Sequence, residues 1–271
     1  PVESDEFIAE NYLRSSRFRA SGFDGFMQDN VAMGRDRVVR LPDSIDREVA
    51  AFMEIISVSN HAVGRFDRFS HGRRENIAVW GDGNMGYITA LLLRYRYPDA
   101  RIYIMGVSRE KLSGFSFADG TFDVRAIPDD MIIDHAFECV GGNGAPKAID
   151  QIIDYIRPEA TIGLLGVSEN PVPMNTRMIL EKGLRVFGSS RSGRADFLNT
   201  IQMFEKHPEM NELMKHIVGD VVNVRTVDDM HVDFRKDMAT ACGKTIMLWN
   251  VSQQRGRGSM CKVAIRVPVY N

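Results

Sequence analysis

The sequence predicts an α/β fold built on a doubly wound parallel sheet. Two observations carry this expectation. From Asn76 onward, short β-like apolar runs alternate with helix-like stretches. A glycine-rich loop, Gly81-Asp82-Gly83-Asn84-Met85-Gly86, joins the first run to the first of these helices. Strands alternating with helices imply βαβ units, whose crossover helices cover both faces of a parallel sheet.

Each element has its own signal. Residues 22–42 alternate apolar and polar side chains between glycines, which predicts antiparallel strands until Pro42 and Asp43 break the pattern. From Asp46 to about Phe69, Val49, Phe52, Met53, Ile56, Val63 and Phe66 recur at helical spacing. The β-like runs fall at 76–80, 101–105, 121–125, 134–139, 160–165 and 184–188, six strands that fit a doubly wound sheet. Helices are expected at 85–97, stopping before Pro98, and at 145–156, where Ile149, Ile152, Ile153 and Ile156 share one side. A third spans 174–183 and ends at Gly183, a good C-cap residue. A fourth spans 194–207, ahead of Pro208. Residues 220–250 are mixed and close on KTIMLWN, read as a final strand. The polar, glycine-rich stretch 251–259 reads as a linker.

Composition narrows the function classes. A chain of 271 residues is long enough for two domains. Its formal charge of −2 lacks the basic excess of a nucleic-acid binder. No apolar run is long enough to span a bilayer, and no basic-then-apolar signal segment opens the sequence. Cys139, Cys242 and Cys261 are far apart and form no CxxC pair. They suggest neither a disulfide framework nor a cysteine-rich metal site, so a reducing cytoplasm is the expected compartment. The sequence starts at Pro1 in a polar stretch and ends inside a β-like run, and reads as a piece of a longer polypeptide.

The glycine loop gives the first chemical expectation. GxGxxG on its own is a common tight turn; a strand before it and a helix after it point to a bound dinucleotide. Gly81 would allow the turn, Gly83 the close approach of a pyrophosphate, and Gly86 close packing of helix on strand. Asn84 and Met85, in the loop at the start of the helix, would join the cofactor contacts, with the helix N-terminus supplying free N–H groups. An NAD site keeps an acidic residue about 20 residues on, for the ribose hydroxyls. Adenosylmethionine sites on the same fold usually keep one too. Here the second strand ends in Gly106-Val107-Ser108-Arg109-Glu110-Lys111. Glycine takes the acidic position, and Ser108, Arg109 and Lys111 could bind a 2′-phosphate. This pattern favours NADP over NAD and over adenosylmethionine. The plain alternative is that Arg109 and Lys111 form a solvated first helical turn.

Several stretches carry a resemblance: IAENYLRSSRFRASGFDGFMQD, WGDGNMGYITALLLR, DHAFECVGG, LLGVSENPVPMNTRMILEKGL and GSSRSG. Over residues 6 to 249 the chain resembles the zinc-containing medium-chain alcohol dehydrogenases. Within them it looks like the ribulose-5-phosphate reductases that serve CDP-ribitol and wall teichoic acid or capsule synthesis. The resemblance implies a Rossmann domain at 75–215 and the remainder of a GroES-like, β-rich catalytic domain at 1–74 and 216–250. It implies NADPH-dependent, zinc-assisted reduction of D-ribulose 5-phosphate to D-ribitol 5-phosphate. Its substrate would be a phosphorylated pentulose or pentitol, and the protein a homo-oligomer with a cytidylyltransferase as pathway partner. Cys139, Val140 and Gly141 should border the dinucleotide cleft. Gly166, Val167 and Ser168, then Ser190 and Arg191, should lie near the nicotinamide. Glu54 matches an acidic position that binds zinc directly or through water in relatives, and so is both the candidate metal ligand and the candidate catalytic residue. The other ligands, a Cys and a His-Glu pair, would lie upstream of Pro1.

Other readings stay open. For Glu54, an ordinary helix carboxylate is the alternative, although its apolar neighbours would make unpaired burial costly. His61 lies two helical turns on but has a structural role by the resemblance. The substrate phosphate could be met by Arg14, Arg17, Arg19, Arg191 or Arg194. KVAIRVPVYN near the end resembles the first strand of GT-A glycosyltransferases, so 251–271 is read as linker plus a glycosyltransferase start. The competing functions are another polyol or sugar dehydrogenase of the same superfamily, and a non-catalytic NADPH-binding module joined to a glycosyltransferase.

Overall fold

A computed structural model of the chain describes residues 4–28, 30–240 and 243–249, together with the backbone of 264–265. The linker 251–259, Met260, Cys242, Cys261 and most of the C-terminal run lie outside the described residues. The chain forms two compact units. One is continuous, Val58–Ser190. The other is discontinuous and combines Pro1–Ser57 with Arg191–Tyr270.

In chain order the helices are α1 (Arg47–Ala50), α2 (Met53–Phe69), α3 (Asn84–Arg96), α4 (Arg109–Leu112), α5 (Ala145–Tyr155), α6 (Thr176–Lys182), α7 (Arg194–Lys206), α8 (Met210–Met214) and α9 (Val227–Ala239). The strands are β1 (Asn76–Trp80), β2 (Arg101–Gly106), β3 (Gly120–Asp123), β4 (Ile133–Glu138), β5 (Ile156–Leu164), β6 (Arg185–Gly188), β7 (Val218–Val224), β8 (Lys244–Trp249) and β9 (Ala264–Ile265).

In the continuous unit the first six strands are all parallel, in the order β3-β2-β1-β4-β5-β6. The chain winds outward from β1 to one edge, then returns to β4 and winds to the other. This is the doubly wound sheet, with its switch point between β1 and β4. Every residue of β1 and β4 is buried, because crossover helices cover both faces of a parallel sheet. On one face Ala78, Trp80, Ala136 and Ile162 join Ile149, Ile152 and Ile153 of α5 in one apolar cluster. On the other, Phe137 meets Phe66 of α2 edge-on, with ring centroids 5.1 Å apart. α6 begins later than its apolar pattern suggested, because the Asn175 side chain caps it by accepting from the Met178 N–H. It ends, as expected, on Gly183 in the left-handed region, at φ +60°.

The discontinuous unit carries a three-stranded sheet in the order β7-β8-β9, with β7 parallel and β9 antiparallel to β8. β8 is the strand expected from KTIMLWN. Helix α9 packs on β7 and β8. The expected antiparallel strands at 22–42 do not form. The described residues of that stretch hold one 3-10 turn, Arg35–Arg37, and the nearest bridge is the isolated Phe18–Ser21 pair. Alternation alone does not make a strand; a neighbouring ladder must take up the backbone groups. Here arginine side chains take them instead. Arg19 Nη2 donates to the Ala32 carbonyl at 2.9 Å, and Arg194 Nη1 donates to those of Asp36 and Val38 at 3.2 and 2.7 Å. The single helical stretch expected from Asp46 to Phe69 is also two helices, α1 and α2, parted by a turn at Ala51-Phe52.

One buried acid ties the starts of three strands together. Asp134, fully buried, opens β4. Its Oδ1 accepts from Arg73 Nε at 3.0 Å and Arg157 Nη1 at 3.1 Å. Its Oδ2 accepts from the backbone N–H groups of Glu75 and Asn76 at 3.1 and 3.0 Å. Asp134→Ala strands those two N–H groups and should cost about 3 kcal/mol. That would appear as a thermal midpoint lowered by roughly 10 °C, whereas Asp134→Asn, which keeps an acceptor, should lose clearly less.

The next residue generates a pH dependence. His135 is fully buried; its Nδ1 accepts from the Thr161 N–H at 3.1 Å, and its ring lies 4.3 Å from that of His71. Burial first, and His71 second, hold its pKa down at about 4. The folded protein therefore binds fewer protons there than the unfolded chain. The contribution is complete above about pH 6.5 and is lost as pH falls to about 4, on the order of 3 kcal/mol in all. His135→Asn keeps an acceptor for Thr161 and cannot titrate in this range. Denaturant unfolding across that window should show a shallower pH slope for the variant than for the wild type; parallel slopes would remove His135 from the linkage.

Candidate functional site

The glycine loop stands at the switch point of the sheet, where β1 and β4 diverge. Gly81 has φ +127°, and a Cβ there would lie 2.9 Å from the Cys139 carbonyl, so only glycine fits. A Cβ on Gly86 would lie 1.9 Å from the Gly81 carbonyl oxygen. The first turn of α3 thus rests directly on the strand end. Gly83 is the N-cap of α3, and a Cβ there would meet open space. No side chain caps this helix. The N–H groups of Asn84, Met85 and Gly86 have no acceptor among the described residues, and the first bond of the helix is Tyr87 N–H to Gly83. Such a helix end is chemically an anion site.

At the end of β2, Gly106 is followed by the exposed Val107 and by Ser108, which caps the short helix α4 by accepting from the Lys111 N–H. Arg109 is exposed and Lys111 half-buried. Neither side chain makes an ion pair or hydrogen bond among the described residues. Asp82, the residue between the first two glycines, accepts from the N–H groups of Val107 and Ser108 at 2.8 and 2.7 Å, both on Oδ2. The glycine pattern drew no attention to it.

At the ends of β4 and β5 a second acid organises the backbone. Glu138 is buried. Its Oε1 accepts from the N–H groups of Val140 and Gly141, each at 2.8 Å, and its Oε2 from that of Gly166 at 3.1 Å. A Cβ on Gly166 would collide with this carboxylate and with the Gly141 nitrogen, and one on Gly141, at φ +66°, with Val167. Gly142 N–H donates to the Val167 carbonyl, and Ser168 Oγ to that of Gly142. Residues 138–142 and 165–168 therefore form one hydrogen-bonded rim, with the apolar side chains of Val140 and Val167 exposed on it. Sequence reasoning missed Glu138; its signal is a charge at the end of a fully buried strand, which has to find donors. Cys139 faces inward. Its sulfur lies 3.8 Å from Thr89 Oγ1, and burial, then the Glu138 charge, pushes the thiol pKa well up, so it is a neutral core group.

The candidates thus separate. Gly81 to Gly86, Ser108, Arg109, Lys111, Cys139 to Gly141, Gly166 to Ser168 and the exposed Ser190 belong to the continuous unit. Glu54 and Arg191 belong to the other. Glu54 is exposed on α2, so the expected cost of burying it does not arise; His61 is buried. Among the described residues no three His, Cys, Asp or Glu side chains group closely enough to hold a metal ion, and the residues present do not make up a zinc centre. Of the candidate phosphate arginines, Arg191 has φ +65°, stacks over Phe18 at 4.2 Å and donates to the Asn11 carbonyl. Arg17 and Arg19 lie over Phe23 and Phe26. Arg19 and Arg194 also hold the carbonyls named above. Arg14 is exposed, with no partner among the described residues.

Known proteins share this architecture. The family described as zinc-binding dehydrogenase matches residues 116–206. Ribulose-5-phosphate reductase of Bacillus spizizenii is 50% identical over 251 residues, which cover 93% of this chain and 74% of that protein. Ribulose-5-phosphate reductase 2 of Staphylococcus aureus is 51% identical over 251 residues, with the same coverage of 93% and 74%. The crystal structure of S. aureus TarJ in complex with NADPH aligns with a TM-score of 0.80 at 47% identity, covering 83% of this chain and 71% of that one. With half of its residues shared over three quarters of such a relative, the chain belongs to the zinc-binding alcohol dehydrogenase family, in the branch that holds the ribulose-5-phosphate reductases.

Proposed function

We propose that this protein reduces D-ribulose 5-phosphate to D-ribitol 5-phosphate with NADPH, supplying ribitol phosphate for CDP-ribitol and teichoic acid or capsule synthesis. The observation that carries the cofactor choice is the end of β2. Glycine stands at 106, where an NAD site keeps its carboxylate, and the Arg109 and Lys111 cations beside it have no partner among the described residues. The relatives at about half identity are named for the reaction itself.

In this reading the N–H groups of Asn84, Met85 and Gly86 hold the pyrophosphate, and open space above Gly83 admits it. Ser108, Arg109 and Lys111 meet the 2′-phosphate. The rim of Val140, Gly141, Gly166, Val167 and Ser168, with Ser190, would lie along the nicotinamide, which its apolar side chains would shield from water; Arg191 follows directly in the chain. When bound, NADPH would supply the hydride for the C2 carbonyl carbon of the ketose, and a proton from solvent would complete the new hydroxyl. The family is a zinc-binding one, and Glu54 is this chain's candidate ligand. The described residues do not by themselves complete a metal centre. Homo-oligomeric assembly, a cytoplasmic site of action and a cytidylyltransferase acting on the product belong to the same reading.

Titration with NADPH and NADH, followed by nicotinamide fluorescence, tests the cofactor assignment. NADPH should bind clearly more tightly, and Arg109→Ala should weaken NADPH by about tenfold, the loss of one charge-assisted contact, with little effect on NADH. Equal affinities for the two cofactors would sink the assignment. Turnover of ribulose 5-phosphate against sorbitol and threonine tests the substrate.

The rim yields a separate expectation. Glu138→Ala leaves the N–H groups of Val140 and Gly141 without their acceptor, while that of Gly166 keeps its bond to the Glu138 carbonyl; Glu138→Gln keeps a side-chain acceptor. The alanine variant should lower kcat by about a hundredfold, as for a reacting ring misplaced by around 1 Å, with a much smaller effect on NADPH affinity. Glutamine should recover part of the rate. If NADPH affinity falls as steeply as kcat, the rim's part in placing the ring is wrong.

A further inference from the structure

The geometry at the end of β2 points to Asp82 as a specificity-determining residue for the cofactor, acting by position. This rests on the NADPH reading above. Asp82 belongs to the glycine loop after β1, yet its carboxylate reaches across to the neighbouring strand. There Oδ2 accepts two short bonds, from Val107 N–H at 2.8 Å and Ser108 N–H at 2.7 Å. It fills the space that a side chain on residue 106 would need. A Cβ on Gly106 would stand 2.7 Å from both Asp82 Cβ and Oδ2, and 2.8 Å from Leu112 Cδ2. An acid on residue 106 and this acid on the loop are therefore mutually exclusive. The loop acid keeps position 106 bare.

The two bonds also decide which groups remain for a ligand. Backbone N–H groups at the end of this strand are potential phosphate donors, and Asp82 has consumed those of 107 and 108. What remains are the side chains of Ser108, Arg109 and Lys111, displayed on α4, whose first residue follows the turn that Asp82 holds. A carboxylate near a 2′-phosphate has an opposing effect as well, because like charges repel. The two effects predict opposite signs. If positioning dominates, removing Asp82 weakens NADPH. If repulsion dominates, removing it strengthens NADPH. Two charge-assisted bonds to one oxygen favour positioning, since they both fix the turn and spread the charge.

The test is the affinity of the full chain for NADPH and NADH, for the wild type, Asp82→Ala and Asp82→Asn. The asparagine oxygen can accept both N–H groups without the charge. Asp82→Ala should bind NADPH about tenfold more weakly and NADH within about threefold of the wild type, so that selectivity collapses. Asp82→Asn should keep the wild-type ratio. A gain of NADPH affinity in the alanine variant, an equal loss for both cofactors, or an asparagine variant as poor as the alanine would each overturn the proposal. Gly106→Ala, which drives the carboxylate off its donors from the other side, should reproduce the loss of selectivity and serves if Asp82→Ala does not fold. An unchanged ratio in that variant overturns the proposal equally. A wild type without NADPH preference would overturn the cofactor reading itself, and this proposal with it. A wild type that prefers NADPH beside an equally selective Asp82→Ala would remove only the role of Asp82.

Discussion

The approach of two backbones at the switch point sets the geometry of this molecule. The Gly81 carbonyl occupies the place where a side chain on Gly86 would begin, and Gly81 in turn leaves no room for a side chain against the Cys139 carbonyl. Helix α3 can begin so close to the sheet only because both residues are glycine. That closeness delivers the uncapped N–H groups of Asn84 to Gly86 to the crevice between β1 and β4. It also puts the Asp82 side chain within reach of β2. A methyl group at residue 86 would have to lift the helix bodily, since its neighbour is backbone and cannot rotate away. The anion site, the turn at 106–108 and the packing of α3 are therefore one constraint seen from three sides.

Acids do much of the remaining work, and they do it through backbone N–H groups. Asp134 gathers the starts of β1, β4 and β5 at the N-terminal ends of the strands. At their C-terminal ends Asp82 joins β1 to β2, and Glu138 joins β4 to β5. Ladder bonds run between strands but leave the last residues of each strand without partners. A carboxylate has lone pairs for several donors and can satisfy such ends together. Buried without donors, the same group would be strongly destabilising. The two acids near the crevice thus fix the loops that would meet the cofactor, at adenosine and nicotinamide ends respectively, before any ligand arrives. Preorganisation of this kind lowers the ordering cost of binding.

What was legible in the sequence follows from the same physics. The six strands and the helices between them were readable because both faces of a parallel sheet are buried, which makes stretches such as Ile77–Trp80 of β1 and Ile102–Met105 of β2 continuous apolar runs. The glycine loop was readable because its spacing is set by backbone contacts that tolerate no substitution. The stretch 22–42 misled because its alternation resembles a strand while its carbonyls are taken by arginines, one of them Arg194, which is remote in sequence. The helix 227–239 went unread although Thr226 and Asp229 form a capping box, Thr226 Oγ1 accepting from the Asp229 N–H and Asp229 Oδ2 from that of Thr226. Asp82 and Glu138 were missed for a different reason. A pattern search on glycines treats the intervening residues as free, and an acid that serves its own backbone has no characteristic spacing.

Cofactor choice and chemistry are separable in this chain, and the reason is physical. Nearly every candidate cofactor contact lies in the continuous unit, on loops tied to strand ends. In the proposed reading, discrimination between NADPH and NADH depends on one phosphate and the charges around it: two cations without partners among the described residues, a bare glycine and an acid occupied by two N–H groups. Screening weakens the contribution of exposed cations such as Arg109. A carboxylate that holds a turn by short hydrogen bonds loses little to salt. Selectivity that came from Arg109 and Lys111 alone would therefore fade steeply as ionic strength rises, while the part that depends on how the turn presents them would persist. The salt dependence of the NADPH-to-NADH ratio thus reports how far the site works by charge and how far by shape.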